Sequence, residues 1–497
     1  MSAPNRKSAI VIGAGVGGLT AGLRLLADGW QVTILERATK PGGKLRTVQF
    51  GDAGPIDAGP TVFTMRWVFD RLFASFGEQL EDHLSFHQAE ILARHGWQDG
   101  SRVDLFADRE RSADAIAEFA GGDEAQGYLN FCEESESIFN LLKEPFIARP
   151  EPSLGNLVTA FGINPFKAMK KMQPFNTMWR GIGTHFHDPR LRQLFGRYAT
   201  YCGSSPYLAP ATLMLVAHVE QDGVWYIDRG MYALIETLVK LIEAQGGSIK
   251  CDSHVATITR NARQATGVRL ESGEEIEADV VIMNGDTNAV ATGEMGASVS
   301  GAVKPTKPHR RSLSAMTWMM EAEVSAFPLI RHNVFFSNNY EREFDEIFKQ
   351  GRLPSEPTVY ICAQDRDDEG DVNGPERLFF IVNAPAKGGT NNFSDDDLAQ
   401  CEESTFRVLE NCGAQVKPLA NKSVRFGPDD FSDLFPATGG AIYGPSSHGW
   451  QASLSRPGCR SKLSGLYFAG GSTHPGPGVP MAALSGLMAA ECALEDY

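Results

Sequence analysis

The stretch 9–46 constrains this chain more than any other. An apolar run at 9–12 reads as a short buried strand. It leads straight into Gly13-Ala14-Gly15-Val16-Gly17-Gly18, a GxGxxG turn. Helical spacing of Leu19, Leu23, Leu25 and Leu26 follows, Gly29 ends the helix, and 32–35 forms a second strand closed by Glu36. Strand, turn, helix, strand and acid in this order form a dinucleotide-binding unit. Gly13 permits the tight turn, Gly15 lets the backbone approach a pyrophosphate, with Gly17 beside it, and Gly18 lets helix pack on strand. The helix N-terminus presents unpaired N–H groups and a positive dipole end to phosphate. Glu36 can accept both hydroxyls of an adenosine ribose, and an acid at this point argues against a 2′-phosphate.

A second loop follows. Glu36-Arg37 runs through Lys40 into Pro41-Gly42-Gly43-Lys44, with Arg46 beyond. This pattern resembles the amine oxidase and carotenoid desaturase superfamily of flavoproteins. The resemblance implies FAD, with Arg37, Gly42, Gly43, Lys44 and Arg46 along its phosphates and flavin edge.

Size and charge narrow the rest. The chain has 497 residues, enough for two large domains or one interleaved pair. A formal charge of −15 makes a nucleic-acid partner unfavourable. The 8 cysteines show no CxxC and no Cys/His ligand spacing, so neither a disulfide framework nor a metal site is expected. Residues 365–371, rich in Asp, read as a solvated acidic loop. The N-terminus carries no signal-peptide pattern, and no run approaches a membrane-spanning length.

The dinucleotide signal returns twice, which predicts an α/β, Rossmann-like FAD-binding domain assembled from discontinuous segments. The first return is 223–286: Gly230-Met231 opens an amphipathic helix through Leu234, Ile235, Leu238, Leu241 and Ile242. Strands are expected at 248–251, 255–259, 266–270 and 276–284. The second return is Gly470-Gly471-Ser472-Thr473-His474-Pro475-Gly476, preceded by a strand at 466–469. A helix then runs from about Pro480 through Met488 to Glu491. Its N-terminus, at Val479, Pro480 and Met481, can stabilise negative charge on a reduced flavin. The FAD-binding domain is assigned to 1–80, 221–286 and 426–497. An α+β substrate and membrane-associating domain is assigned to 81–220 and 287–425, with sheet at 314–321, 358–363 and 378–383.

Over nearly its full length the chain resembles the bacterial-type carotenoid desaturases. The likeness rests on Asp57-Ala58-Gly59-Pro60-Thr61, Gly203-Ser204-Ser205-Pro206, Gly223-Val224-Trp225-Tyr226 with Gly230-Met231, and the Thr473-His474-Pro475-Gly476 loop. Its form is closest to the 1-hydroxycarotenoid 3,4-desaturase branch, also called methoxyneurosporene dehydrogenase, of purple photosynthetic bacteria. The resemblance places Gly59, Pro60, Thr61 and Val255 at the cofactor, Val255 through its backbone at the adenine. Two departures stand out. Gly471-Ser472 replaces a common Gly-Asp at the ribityl turn, and Arg229 stands where many relatives have a second glycine before Gly230-Met231. Arg229 is read as a surface residue.

The implied reaction removes two hydrogens from adjacent carbons of a long acyclic polyene, one as hydride to FAD and one as a proton. The resemblance gives no catalytic acid or base. Glu220, His185, His187 and His218 are candidates, each with a structural role as the stronger reading. A carotenoid offers few polar handles, so a long apolar tunnel is expected. The substrate's insolubility implies a cytoplasmic protein held peripherally on the inner or photosynthetic membrane, with quinone or oxygen as possible electron acceptor. The segment 164–175, with Lys167, Lys170 and Lys171 among Phe and Met and Trp179 just beyond, is a candidate anchor. Rival readings are a phytoene desaturase or carotenoid isomerase of the same fold, an amine oxidase, and a non-enzymatic prenyl-protein escort.

Overall fold

The computed structural model describes residues 6–49, 54–153, 155, 173–367, 372–389 and 393–497. The membrane-anchor segment 164–172 and most of the acidic loop, 368–371, lie outside the described residues.

The apolar run Ser8–Ile12 is the central strand of a five-stranded parallel sheet. The order is Leu466–Phe468, Val280–Met283, Ser8–Ile12, Gln31–Leu35, Ser248–Lys250. Five strands from four distant stretches of chain thus build one Rossmann-like sheet. Its side chains alternate as a pleat requires. Ala9, Val11, Val32 and Ile34 join the core that contains the helices Val16–Ala27, Tyr232–Ala244 and Val479–Asp496. Ile10, Ile12 and Leu35 face the opposite way, onto the antiparallel sheet Val255–Arg260, Ala265–Leu270, Glu275–Glu277.

The stretch 276–284, expected as one strand, divides into two. Glu275–Glu277 closes the antiparallel sheet, and Val280–Met283 starts the parallel one. Asp279 makes the switch, because its Oδ2 accepts from Ser8 N (2.8 Å) and Ser8 Oγ (3.1 Å) and so pins the chain to the central strand. The C-terminal helix is longer than expected and runs to Asp496.

The second sheet has seven strands, ordered Gln415–Phe426, Ser314–Ser325, Glu376–Ala384, Val359–Ala363, His332–Phe335, Ile91–Gly96, Arg102–Phe106. It includes the three stretches expected as sheet. Pairing is antiparallel except between His332–Phe335 and Ile91–Gly96. One face, with Met316, Trp318, Phe380 and Val382, packs on Val408 and Leu409 of the helix Asp395–Asn411. The other face, with Thr317, Phe379, Ile381 and Asn383, lines a cavity. The helix Leu215–Gln221, through Leu215, Val216, Val219 and Glu220, and Leu142 at the end of Gly122–Leu142 add to its wall. No helix among the described residues is long and apolar enough to cross a membrane.

Candidate functional site: a cofactor cleft opening into an apolar cavity

One cavity of about 1310 Å³ runs from Glu36 and Val255 past the glycine loops to the second sheet and to Phe175 and Trp450. Gly13, Gly15, Gly17, Glu36, Arg37, Gly42, Gly43, Lys44, Arg46, Gly59, Pro60, Thr61, Val255, Gly470, Gly471, Ser472, Val479, Pro480 and Met481 all line it. Gly18 does not. A Cβ there would stand 2.2 Å from Gly13 O, so this glycine serves the close packing of helix on turn and faces away from the cleft.

Two helices bring uncapped N-termini to this cavity. Neither Gly15, before Val16–Ala27, nor Gly478, before Val479–Asp496, makes a side-chain capping bond. First-turn amides are therefore left for an anion or a carbonyl edge. Thr20 Oγ1 donates to Ala483 O (3.2 Å), which ties the two helices side by side.

Glu36 is 8 % exposed, and its carboxylate is already engaged. Oε2 accepts from Ala14 N (2.8 Å) inside the GxGxxG turn, and Oε1 accepts from Ala38 N (2.9 Å). The acid braces the turn against the end of the second strand, and each oxygen keeps a lone pair for a ribose hydroxyl.

Lys44 and Arg46 are not free surface charges. Lys44 Nζ donates to Ile442 O (2.6 Å), and burial, with Arg456 nearby, lowers its pKa to about 8 against the pull of Asp286. The Arg46 guanidinium stacks 4.2 Å from the Phe426 ring centre and leaves Nη2 without a partner. Arg37 donates to Asp433 O.

Four residues at this cleft were not singled out in the sequence. Asn284 donates to Gly13 O (3.0 Å) and Tyr232 Oη to Pro41 O (2.9 Å). Arg456 Nη1 donates to Gly471 O (2.8 Å). Asp286 accepts from Ser472 Oγ (2.6 Å), so a carboxylate stands beside the Gly471-Ser472 turn after all, supplied from another strand end. A polar residue directly after the strand 280–283 was the available signal for both Asn284 and Asp286.

The motifs that carried the resemblance also meet. Asp57 Oδ2 accepts from Met231 N (2.7 Å), joining the Asp57–Thr61 loop to the start of the helix Tyr232–Ala244. A Cβ on Gly230 would lie 2.4 Å from that same oxygen. Arg229, in its turn, is a surface residue paired with Glu236 (3.0 Å), with φ of +68°. That left-handed backbone explains why glycine suits the position. His474 Nε2 lies 2.8 Å from Phe146 O, and burial lowers its pKa to about 4. The neutral ring therefore donates, and it fastens the Thr-His-Pro-Gly loop to the cavity wall.

Of the candidate proton acceptors, Glu220 alone lines the cavity. His185 pairs with Glu134 (2.7 Å), His187 N donates to Glu124 (2.9 Å), and His218 packs on Phe139 (4.9 Å). Among the described residues no group of three or more His, Cys, Asp or Glu side chains could hold a metal ion.

The residues present fit a long dinucleotide whose reactive ring would reach the apolar part of the cavity. Fold and cleft define the class: a flavin-binding oxidoreductase of mixed α/β fold. Structures with the same fold include a putrescine oxidase triple mutant, TM-score 0.61 and 14 % identity over 99 % of each chain. Another is an oxidoreductase from Methanosarcina mazei, TM-score 0.59 and 16 % identity over 98 % of this chain and 100 % of that one. The family model for flavin containing amine oxidoreductases matches residues 16–494. Hydroxyneurosporene desaturase of Rubrivivax gelatinosus is 49 % identical over 97 % of this chain and 92 % of that protein. The 1-hydroxycarotenoid 3,4-desaturase of a Flavobacterium is 31 % identical over 98 % of each. The chain belongs to the flavin-containing amine oxidoreductase family and, within it, to the carotenoid desaturases, which bears out the resemblance seen in the sequence. It is an FAD-dependent oxidoreductase.

Proposed function

We propose that this protein introduces the C-3,4 double bond into acyclic 1-hydroxy or 1-methoxy carotenoids while resting on a membrane surface. The observation that carries the reading is the continuity of one cavity from Glu36 to the aromatic pair Phe175 and Trp450. The nineteen cleft residues named above would hold FAD, with Glu36 at the ribose, the two helix N-termini at the phosphates and the pyrimidine edge, and Val255 at the adenine. FAD bound there supplies a two-electron acceptor. The protein's part is to hold the polyene in line with the ring and keep water away. Leu142, Phe146, Leu213, Val216, Val219, Phe379 and Ile381 give the cavity the apolar lining this demands.

Phe175 is 68 % exposed and Trp450 43 %, their rings 5.5 Å apart, and Leu208, whose carbonyl accepts from Gly449 N (2.9 Å) beside Trp450, is 44 % exposed. Large apolar side chains at a cavity rim suit entry of a lipid-soluble substrate from a bilayer. A quinone or oxygen would take the electrons onward. Incubating FAD-loaded protein with hydroxyneurosporene, methoxyneurosporene, neurosporene and phytoene, and resolving products by chromatography and absorption, tests the reading. Extension of the conjugated system in the oxygenated substrates is expected. Conversion of phytoene instead would assign the protein to the phytoene desaturases.

A further inference from the structure

A cavity for a hydrocarbon has no use for charge, yet this one holds an ionic cluster in its wall. Arg197, Tyr201 and Glu220 all line it. Arg197 is 5 % exposed and Glu220 4 %. Arg197 Nη1 donates to Tyr201 Oη (2.7 Å). Tyr201 Oη donates to Glu220 Oε2 (2.8 Å), and Tyr198 Oη donates to Glu220 Oε1 (2.7 Å). Arg197 Nε and Nη2 have no hydrogen-bond partner. Keeping an arginine and a glutamate out of water with donors unsatisfied costs free energy that well-packed apolar residues would not.

The hydrogen bonds fix what the cluster offers. Because Arg197 can only donate, Tyr201 must accept from it and pass its own proton to Glu220. What remains free is one lone pair on Tyr201 Oη, one or more on each Glu220 oxygen, and the donors at Arg197 Nε and Nη2. The recess offers free acceptors beside spare donors and so suits a hydroxyl, which can both donate and accept. Tyr201, only partly covered, is the member most open to the cavity.

Its place in the cleft is equally specific. A Cβ on Gly203, two residues on, would lie 2.7 Å from Tyr443 Cβ, and the Tyr443 carbonyl accepts from Arg456 Nη1 (3.5 Å), which also binds Gly471 O (2.8 Å) in the C-terminal glycine loop. Tyr360 lines the same cavity, and its hydroxyl lies 2.7 Å from Thr61 Oγ1 in the Gly59-Pro60-Thr61 loop. The cluster therefore shares one cavity with the loops that carry Gly59-Pro60-Thr61 and Gly470-Gly471-Ser472. In a 1-hydroxy carotenoid the oxygen is only two carbons from C-3, so it must sit beside the reacting bond.

We propose that Tyr201 and Glu220, oriented by Arg197, form the subsite that receives the terminal hydroxyl of the carotenoid and make the enzyme prefer the alcohol over the ether and the bare hydrocarbon. This rests on the desaturase reading above. An alcohol can donate to Tyr201 or Glu220, an ether cannot, and a hydrocarbon leaves the acceptors unpaired. Tyr201 and Glu220 are specificity-determining residues, and Arg197 is a positioning residue that directs the Tyr201 lone pair.

The test compares FAD-loaded wild type with Tyr201→Phe and Glu220→Gln, measuring kcat/KM and equilibrium binding for hydroxyneurosporene, methoxyneurosporene and neurosporene. Wild type should favour the alcohol in both measurements. Tyr201→Phe, which keeps the ring, and Glu220→Gln should each reduce that preference roughly 10- to 100-fold. Bound flavin and thermal midpoint identify any variant that fails to fold, and the other variant then decides. A fall of equal size for all three substrates would mark the cluster as structural and overturn the proposal. Unchanged preference in the variants would overturn it too. A wild type that converts none of the three would instead overturn the desaturase reading, an outcome distinct from the other two.

Discussion

Arg229 and Gly230 show how one residue's backbone records the architecture around it. Both have positive φ, +68° and +89°, but only Gly230 faces a neighbour a methyl group would strike. Arg229→Gly should leave thermal stability within about 1 kcal/mol of wild type, since relief of left-handed strain offsets the added freedom of the unfolded chain. Gly230→Ala should cost about 2 kcal/mol or more, because the new Cβ displaces Asp57 from Met231 N as well as straining the backbone. Thermal denaturation of both variants checks the pair. Lys44 gives a pH-dependent case. Its pKa is about 8 when folded and 10.5 in its ordinary state, so between these values the unfolded chain binds more protons. Stability from this group therefore rises with pH across that window, and below pH 8 the buried charge is a cost. Lys44→Met should remove the slope from flavin-free protein while weakening FAD retention. Titrating stability of both proteins from pH 7 to 10.5 reads the difference.

At the scale of elements, the strand–turn–helix at 8–27 was legible because each local signal agreed with the next. The C-terminal strand and helix were legible for the same reason, and Thr20 joins the two halves across 463 residues. What could not be read was partnership. Nothing local says that Asp279 ends one sheet and starts another, or that Asp286 supplies the carboxylate missing at Ser472. Arg197, Tyr198 and Tyr201 were passed over because a short 3-10 helix, Arg197–Cys202, has no apolar periodicity to reveal which side chains turn inward. Gly18 was read as the packing glycine of the fingerprint, and it stands against Gly13 O, away from the cleft. The helix pair makes its own prediction. A Cβ on Gly486 would lie 2.1 Å from Gly17 O, so Gly486→Ala should push the helices apart. A loss of about 1–3 kcal/mol in denaturant unfolding and a lower flavin content on purification are expected.

For the whole molecule, two sheets from interleaved segments enclose a single chamber whose ends differ in chemistry: carboxylate and glycine loops at one, exposed aromatic rings at the other. If the aromatic rim meets the bilayer, Phe175→Glu with Trp450→Glu should weaken cosedimentation with anionic liposomes several-fold without changing flavin content. Undiminished binding would move the contact elsewhere, and Lys167, Lys170 and Lys171 are then the residues to reverse. The central claim is that the two chain termini hold FAD where it oxidises an oxygenated acyclic polyene in this chamber. An anaerobic single turnover measures it most directly, with hydroxyneurosporene added to FAD-loaded protein and no electron acceptor present. Desaturated product should form in proportion to bound flavin, and flavin-free protein should form none. Product appearing equally without flavin, or no product from a fully loaded protein, would contradict the account.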